Sequence, residues 1–202
     1  MKELSPGSNW NVPNALTALR IVMVPFLGWA LLHDGGESDG WRWIAYALFV
    51  VAMVTDKIDG DLARKHNLIT NFGKIADPIA DKAITGMAFI GISIIWDEWW
   101  LWVITIVVLV REWSVTFARL SIAKHVVMAA NQSGKVKTLA QALALGGFIG
   151  PFNDLSGFWR VPGLILWWAA VVCLVAAVVL TITSGLEFAR DVMRQRRKIT
   201  AA

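Results

Sequence analysis

DKIDGDLARKHNLITNFGKIADPIAD, residues 56–81, carries four carboxylates, Asp56, Asp59, Asp77 and Asp81, at helical spacings beside long apolar runs. Asp56 and Asp59 are three apart and Asp77 and Asp81 four apart, so each pair shares a helix face. The polar segment from Lys65 to Asn71 suits a turn between two helices. Closed as an antiparallel hairpin, the stretch brings both pairs to similar depth. Asp56 lies about 12 Å along its helix from Arg64, and Asp81 about 12 Å along its own from Gly73, at 1.5 Å per residue. Carboxylates converging there would repel one another unless a cation sat among them.

Outward from this stretch the chain is apolar. It has 202 residues, 56% of them hydrophobic, and a mean hydropathy of +0.56. A helix needs roughly 20 apolar residues to cross the hydrocarbon core, and runs of that order recur. They predict an all-α bundle of six membrane spans. The first runs from about Pro13 to Leu32, the second from Trp41 to near Arg64, and the third from about Phe72 to Trp96. The fourth runs from Trp99 to about Lys124, the fifth from about Gly134 to Ile149, and the sixth from Pro162 to about Leu186. Residues 1–202 form one membrane-embedded domain, with a basic tail from about 187 to 202. The polar start, MKELSPGSNW, does not resemble a cleaved signal peptide, so the first apolar run is expected to stay as a membrane helix. The single cysteine, Cys173, lies in an apolar run and reads as packing.

Lys and Arg set the expected orientation. One side collects Arg64, Lys65, Lys74, Lys124, Lys135, Lys137 and the tail residues Arg190, Arg194, Arg196, Arg197 and Lys198. The opposite loops hold Arg42 and Arg160 against Asp34, Glu37, Asp39, Asp97, Glu98 and Asp154. Both termini and the Asp-rich end are therefore expected on the cytoplasmic side of the inner (plasma) membrane. Trp41, Trp43, Trp96, Trp99, Trp100, Trp102, Trp159, Trp167 and Trp168 mark the outer interface. Topology accounts for the pI near 9.5, so no nucleic acid is implied. The tail suits anionic membrane lipid.

Four aspartates are hard oxygen ligands and call for Mg²⁺ or Mn²⁺, with Ca²⁺ also open. His33, His66 and His125 are scattered and read as interfacial or solvated. Gly60, Ala63 and Gly73 are small and flank the acids, leaving room for a ligand to approach the backbone, and Arg64 can meet a phosphate by forked hydrogen bonds. The full spacing is D-x2-D-G-x2-A-R-x8-G-x3-D-x3-D. Its fixed positions would recur by accident in such a chain on the order of once in 10⁸, so the signal is specific.

This string is similar at every fixed position to the signature of the CDP-alcohol phosphotransferases, integral membrane enzymes of phospholipid synthesis. The resemblance covers nearly the whole chain. It implies transfer of a phosphatidyl or related group from a CDP-linked donor to an alcohol, with release of CMP. It further implies that Asp56, Asp59 and Asp77 bind two divalent ions with Asp81 close by, and that Asp81 is the general base. Asp56, Gly60, Ala63, Arg64 and Gly73 would line the donor site, and a homodimer is expected. NVPNALTALRIVMVPF near the start and GKVKT at Gly134–Thr138 resemble the phosphatidylglycerophosphate synthase branch, in which glycerol 3-phosphate attacks CDP-diacylglycerol. Phosphatidylglycerol, as in cardiolipin synthesis, or inositol phosphate are the alternative acceptors, and a divalent-cation transporter is the alternative outside enzymes.

An acceptor phosphate needs cations, and Arg111, Arg119, Lys135 and Lys137 are the candidates. Lys135 and Lys137 are about 200° apart on an ideal helix, so they cannot both face inward. Arg111 lies deepest in its span. Glu112 follows it but points about 100° away, so it is not expected to be Arg111's partner. Asn14, Thr17 and Arg20 are helically spaced and either approach the donor or cap a helix.

Overall fold

The computed structural model describes residues 12–65, 70–122 and 132–200, and within them every regular element is a helix. The side chains of residues 59, 61–65, 71–72, 74, 119–122, 132–135, 188–189 and 191–200 lie outside that description. Six long helices follow in order: α1 Val12–Leu32, α2 Asp39–Lys65, α3 Asn71–Trp96, α4 Trp99–Ile122, α5 Gln132–Ile149 and α6 Arg160–Thr200. Short 3-10 turns at His33–Gly36, Phe152–Asp154 and Gly157–Trp159 join them at one end of the bundle. The expected spans match these helices to within a few residues, except that α6 runs on unbroken through the basic tail.

Four helices, α1, α3, α4 and α6, are long and apolar enough to cross a membrane, and α5 contributes a shorter apolar stretch, Val136–Ile149. Helix α2 has Arg42 near one end and Asp56, Lys57 and Asp59 near the other, which lowers its mean hydropathy. Large apolar side chains such as Val110, Ile165 and Val172 face outward, more than half exposed. Water would penalise such a surface and lipid would not. The chain is a multi-pass membrane protein.

Local chemistry sets the helix ends. Thr70 caps α3, its hydroxyl accepting from Gly73 N–H at 3.0 Å. Asp97 ends α3 in the left-handed region, φ 44°, and returns its N–H to Ser93 O. Arg42 of α2 closes α5. Its guanidinium donates to the carbonyls of Phe148, Ile149 and Gly150 and pairs with Asp154 at 2.9 Å. A residue that the charge pattern placed in an outer loop thus satisfies the last carbonyls of a helix.

The packing differs from a simple two-helix hairpin. Helices α2 and α3 touch each other little, and both lean on α1. The buried stripe of α1 runs through Asn14, Thr17, Arg20, Met23, Leu27 and Leu31, polar in its first half and apolar in its second. The apolar half joins a core with Phe49, Ile84, Ala88 and Phe148. Helix α5 packs closely on α6, where a Cβ on Gly147 would lie 2.1 Å from Ala170 Cβ. The polar half of the α1 stripe lies level with the aspartates.

Candidate active site

Helix α1 supplies the residues that hold the Asp-rich stretch in place. Asp77, on α3, has its Oδ1 2.5 Å from Thr17 Oγ1. The Thr17 hydroxyl is also 3.1 Å from Pro13 O, and its one hydrogen is best spent on the charged acceptor. One turn further along α1, Arg20 is fully buried and reaches Asp56 Oδ1 of α2 at 2.6 Å. One turn before Thr17, Asn14 Oδ1 accepts from the Thr70 hydroxyl at 3.0 Å. The three polar residues of one α1 face therefore secure the start of α3, Asp77 and Asp56 in succession. Sequence spacing singled out this set but did not name its partners.

Asp81, one turn beyond Asp77 on α3, has a different set of partners. Its Oδ2 accepts from Lys82 Nζ at 2.7 Å, and the same ammonium is 2.9 Å from Glu112 Oε2 on α4. Glu112 is buried, and its other oxygen takes Arg111 at 2.8 Å and Lys137 of α5. Arg111 Nη2 donates in turn to Ser184 Oγ of α6 at 2.8 Å. Arg111 and Glu112 thus pair, against the expectation from an ideal helix. Their Cβ atoms diverge, but long flexible side chains curve back to meet. Of the two candidate lysines on the fifth span, Lys137 faces inward and is buried. The side chains of Arg119 and Lys135 lie outside the described residues.

Lys82, Glu112 and Ser184 were missed by the sequence reading. The signal was available for two of them. Lys82 and Glu112 are charged residues inside apolar runs, and such residues seldom stay unpaired in a membrane. Among the described residues Arg111 Nε and Thr181 Oγ1 are buried without a hydrogen-bond partner. Thr181, Ser184 and Gly185 share one face of α6, and Gly185 lies against Arg111. This corner of the bundle has donors to spare.

Among the described residues no three Asp, Glu, His or Cys side chains form a metal cluster; the side chains of Asp59, Ala63 and Arg64 lie outside the described residues. The described carboxylates Asp56 and Asp77 are hard oxygen donors of the kind Mg²⁺ or Mn²⁺ takes, and Gly73 sits beside Asp77. A Cβ on Gly73 would lie 3.1 Å from Asn14 Oδ1, 3.3 Å from Thr70 Oγ1 and 3.5 Å from Asp77 Oδ2. Glycine here lets the start of α3 pack against the polar face of α1 without crowding those oxygens.

Residues 10–183 match the family model described as CDP-alcohol phosphatidyltransferase. A Mycobacterium tuberculosis protein named "Probable phosphatidylglycerophosphate synthase" is 42% identical over 185 residues, covering 91% of this chain and 82% of that protein. A Bacillus subtilis protein named CDP-diacylglycerol–glycerol-3-phosphate 3-phosphatidyltransferase is 38% identical over 192 residues, 89% of this chain and 93% of that one. The Escherichia coli protein of the same name is 32% identical over 183 residues, with the same coverage.

Proposed function

The chain belongs to the CDP-alcohol phosphatidyltransferase family, and from that premise we propose that it transfers the phosphatidyl group of CDP-diacylglycerol to glycerol 3-phosphate, yielding phosphatidylglycerophosphate and CMP. The names of its relatives support this acceptor. The observation that carries it is the unbroken link from Asp81 through Lys82 to the cations gathered on Glu112. An acceptor held there by its phosphate has its far hydroxyl beside a carboxylate.

In this reading Asp81 takes the proton from the acceptor hydroxyl. The freed oxygen attacks the phosphatidyl phosphorus, the bond to the CMP oxygen breaks, and no covalent enzyme intermediate forms. Arg111 and Lys137, with Lys82, hold the acceptor phosphate, and Arg119 and Lys135 attract it from the same side. Asp56, Asp59, Asp77 and Asp81 would hold two divalent ions, Mg²⁺ or Mn²⁺. Bound there, the ions would neutralise the donor diphosphate and favour the departure of CMP. Thr17 and Arg20 orient two of those carboxylates, and Gly60, Ala63, Arg64 and Gly73 leave room for the cytidine phosphate. The chain is read as one domain crossing the inner membrane six times. Its termini and active site face the cytoplasm, and it works as a homodimer.

The test is turnover of purified protein in lipid nanodiscs with CDP-diacylglycerol and, separately, glycerol 3-phosphate, phosphatidylglycerol and inositol phosphate. CMP release with glycerol 3-phosphate alone, lost in excess chelator and restored by Mg²⁺ or Mn²⁺, is the expected result. Consumption of phosphatidylglycerol in its place would make the product cardiolipin. Full turnover in chelator would remove the metal role.

A further inference from the structure

We propose that Glu112 is a positioning residue for the acceptor: its carboxylate gathers cations from three helices into one anion-binding site and ties that site to the proposed base. The inference rests on the reading of this cluster as the acceptor site and adds a role for a residue that touches no substrate in it.

Glu112 is 6% exposed and meets Lys82 of α3, Arg111 of α4 and Lys137 of α5. Three like charges drawn this close in an apolar bundle repel strongly unless an anion lies between them. Glu112 is that anion, and it consumes little of the donor capacity. Lys82 spends one proton on Glu112 and one on Asp81, and an ammonium has three. Lys137 spends one on Glu112. Arg111 uses one nitrogen on Glu112 and another on Ser184, and its Nε–H is buried without a partner among the described residues. Three positive charges against two negative ones, Glu112 and Asp81, leave a surplus of one positive charge in the described cluster. A phosphate monoester supplies the missing negative charge and accepts the remaining donors.

The two oxygens of Glu112 also divide the work. Oε1 takes Arg111 and Lys137, while Oε2 takes Lys82, whose ammonium continues to Asp81. The carboxylate therefore fixes the distance between the place where the phosphate is held and the place where the hydroxyl loses its proton. Losing it should loosen the acceptor and leave the donor side, built on α1, the last turns of α2 and the start of α3, in place.

The experiment compares wild type, Glu112→Gln and Glu112→Asp in nanodiscs, with KM measured for each substrate. Thermal stabilisation by glycerol 3-phosphate and by CMP is measured separately on the same samples. Glu112→Gln should raise KM for glycerol 3-phosphate at least tenfold, move KM for CDP-diacylglycerol less than twofold, and lose stabilisation by glycerol 3-phosphate while keeping that by CMP. Glu112→Asp, which keeps the charge but retracts it by one carbon, should fall between the two. It also carries the test if Glu112→Gln does not fold. Equal losses for both substrates, or an unchanged KM in a folded Glu112→Asp, would overturn the proposal by making Glu112 structural or idle. A lower KM for glycerol 3-phosphate would overturn it too, by making Glu112 a competitor of the phosphate. Failure of the acceptor reading itself would show in the wild type, which would then not respond to glycerol 3-phosphate at all.

Discussion

At the scale of single residues, Thr17 shows how a neutral side chain can matter beside a charge. Its hydroxyl lies 2.5 Å from Asp77 Oδ1, and a hydrogen bond to a charged group contributes about 1.5–3 kcal/mol. Thr17→Val keeps the shape and removes the donor, so kcat/KM should fall roughly 10- to 100-fold, with a higher metal concentration needed for half-maximal rate. Thr17→Ser should keep most of the activity. A metal titration of both variants checks this, and a Thr17→Val enzyme with wild-type metal dependence would break the link to Asp77. Asp81→Asn should abolish turnover yet leave CMP binding, measured by calorimetry, within about threefold, whereas Asp77→Asn should weaken the metal response itself. The aspartates were legible because rare residue types at fixed spacing cannot hide in an apolar chain. Their partners were not. Spacing says which residues share a face of one helix, but which helix meets that face is decided by packing. The Arg111–Glu112 pair was misread for a related reason: an ideal helix fixes Cβ directions and says nothing of where a long side chain ends.

At the scale of elements, the helices were legible from apolar run lengths, and their closest approach was not. The pair Gly146–Gly147 reads as a weak spot in a helix by propensity alone. In the bundle Gly147 is where α5 reaches α6, with no room for a Cβ opposite Ala170. Gly147→Ala should therefore destabilise the protein by roughly 1–3 kcal/mol, the usual cost of overpacking, despite the better helix propensity of alanine. Ala170→Gly in the same chain should restore part of that loss by returning the volume. Thermal unfolding of both variants in one detergent decides the matter. A Gly147→Ala protein that melts at or above the wild type would mean that the two helices separate without cost. Helix α6 illustrates another limit. Hydropathy ends it near Leu186, but its 41 residues span about 60 Å at 1.5 Å each, twice the hydrocarbon thickness of about 30 Å. The basic stretch keeps helical backbone because Arg, Gln and Lys are good helix formers, a preference that a hydropathy reading does not weigh.

For the whole molecule, the two ends of the bundle carry different chemistry, and that asymmetry predicts its orientation. One end holds the four motif aspartates and most of the Lys and Arg; the other holds most of the tryptophans, the 3-10 turns and the acidic residues Asp34, Glu37, Asp39, Asp97, Glu98 and Asp154. The structure sharpens the contrast, because Arg42, one of two basic residues at the Trp-rich end, is buried and paired with Asp154. Little free positive charge then remains to hold that end in the cytoplasm. The order of helices around α1 was beyond a sequence reading, since hydropathy counts spans without saying which are neighbours, but sidedness needs only the count of charges at each end. In a Cys173→Ser background, a cysteine at Ser156, exposed at the Trp-rich end, should react with a membrane-impermeant maleimide added to intact cells. A cysteine at Arg190, exposed on α6 beyond the opposite end, should react only after the cells are permeabilised. The reverse pattern would turn the bundle over and put the aspartates outside, away from any cytosolic nucleotide-linked or phosphorylated substrate. Labelling of both positions in intact cells would mean a mixed topology, which a charge difference of this size should prevent.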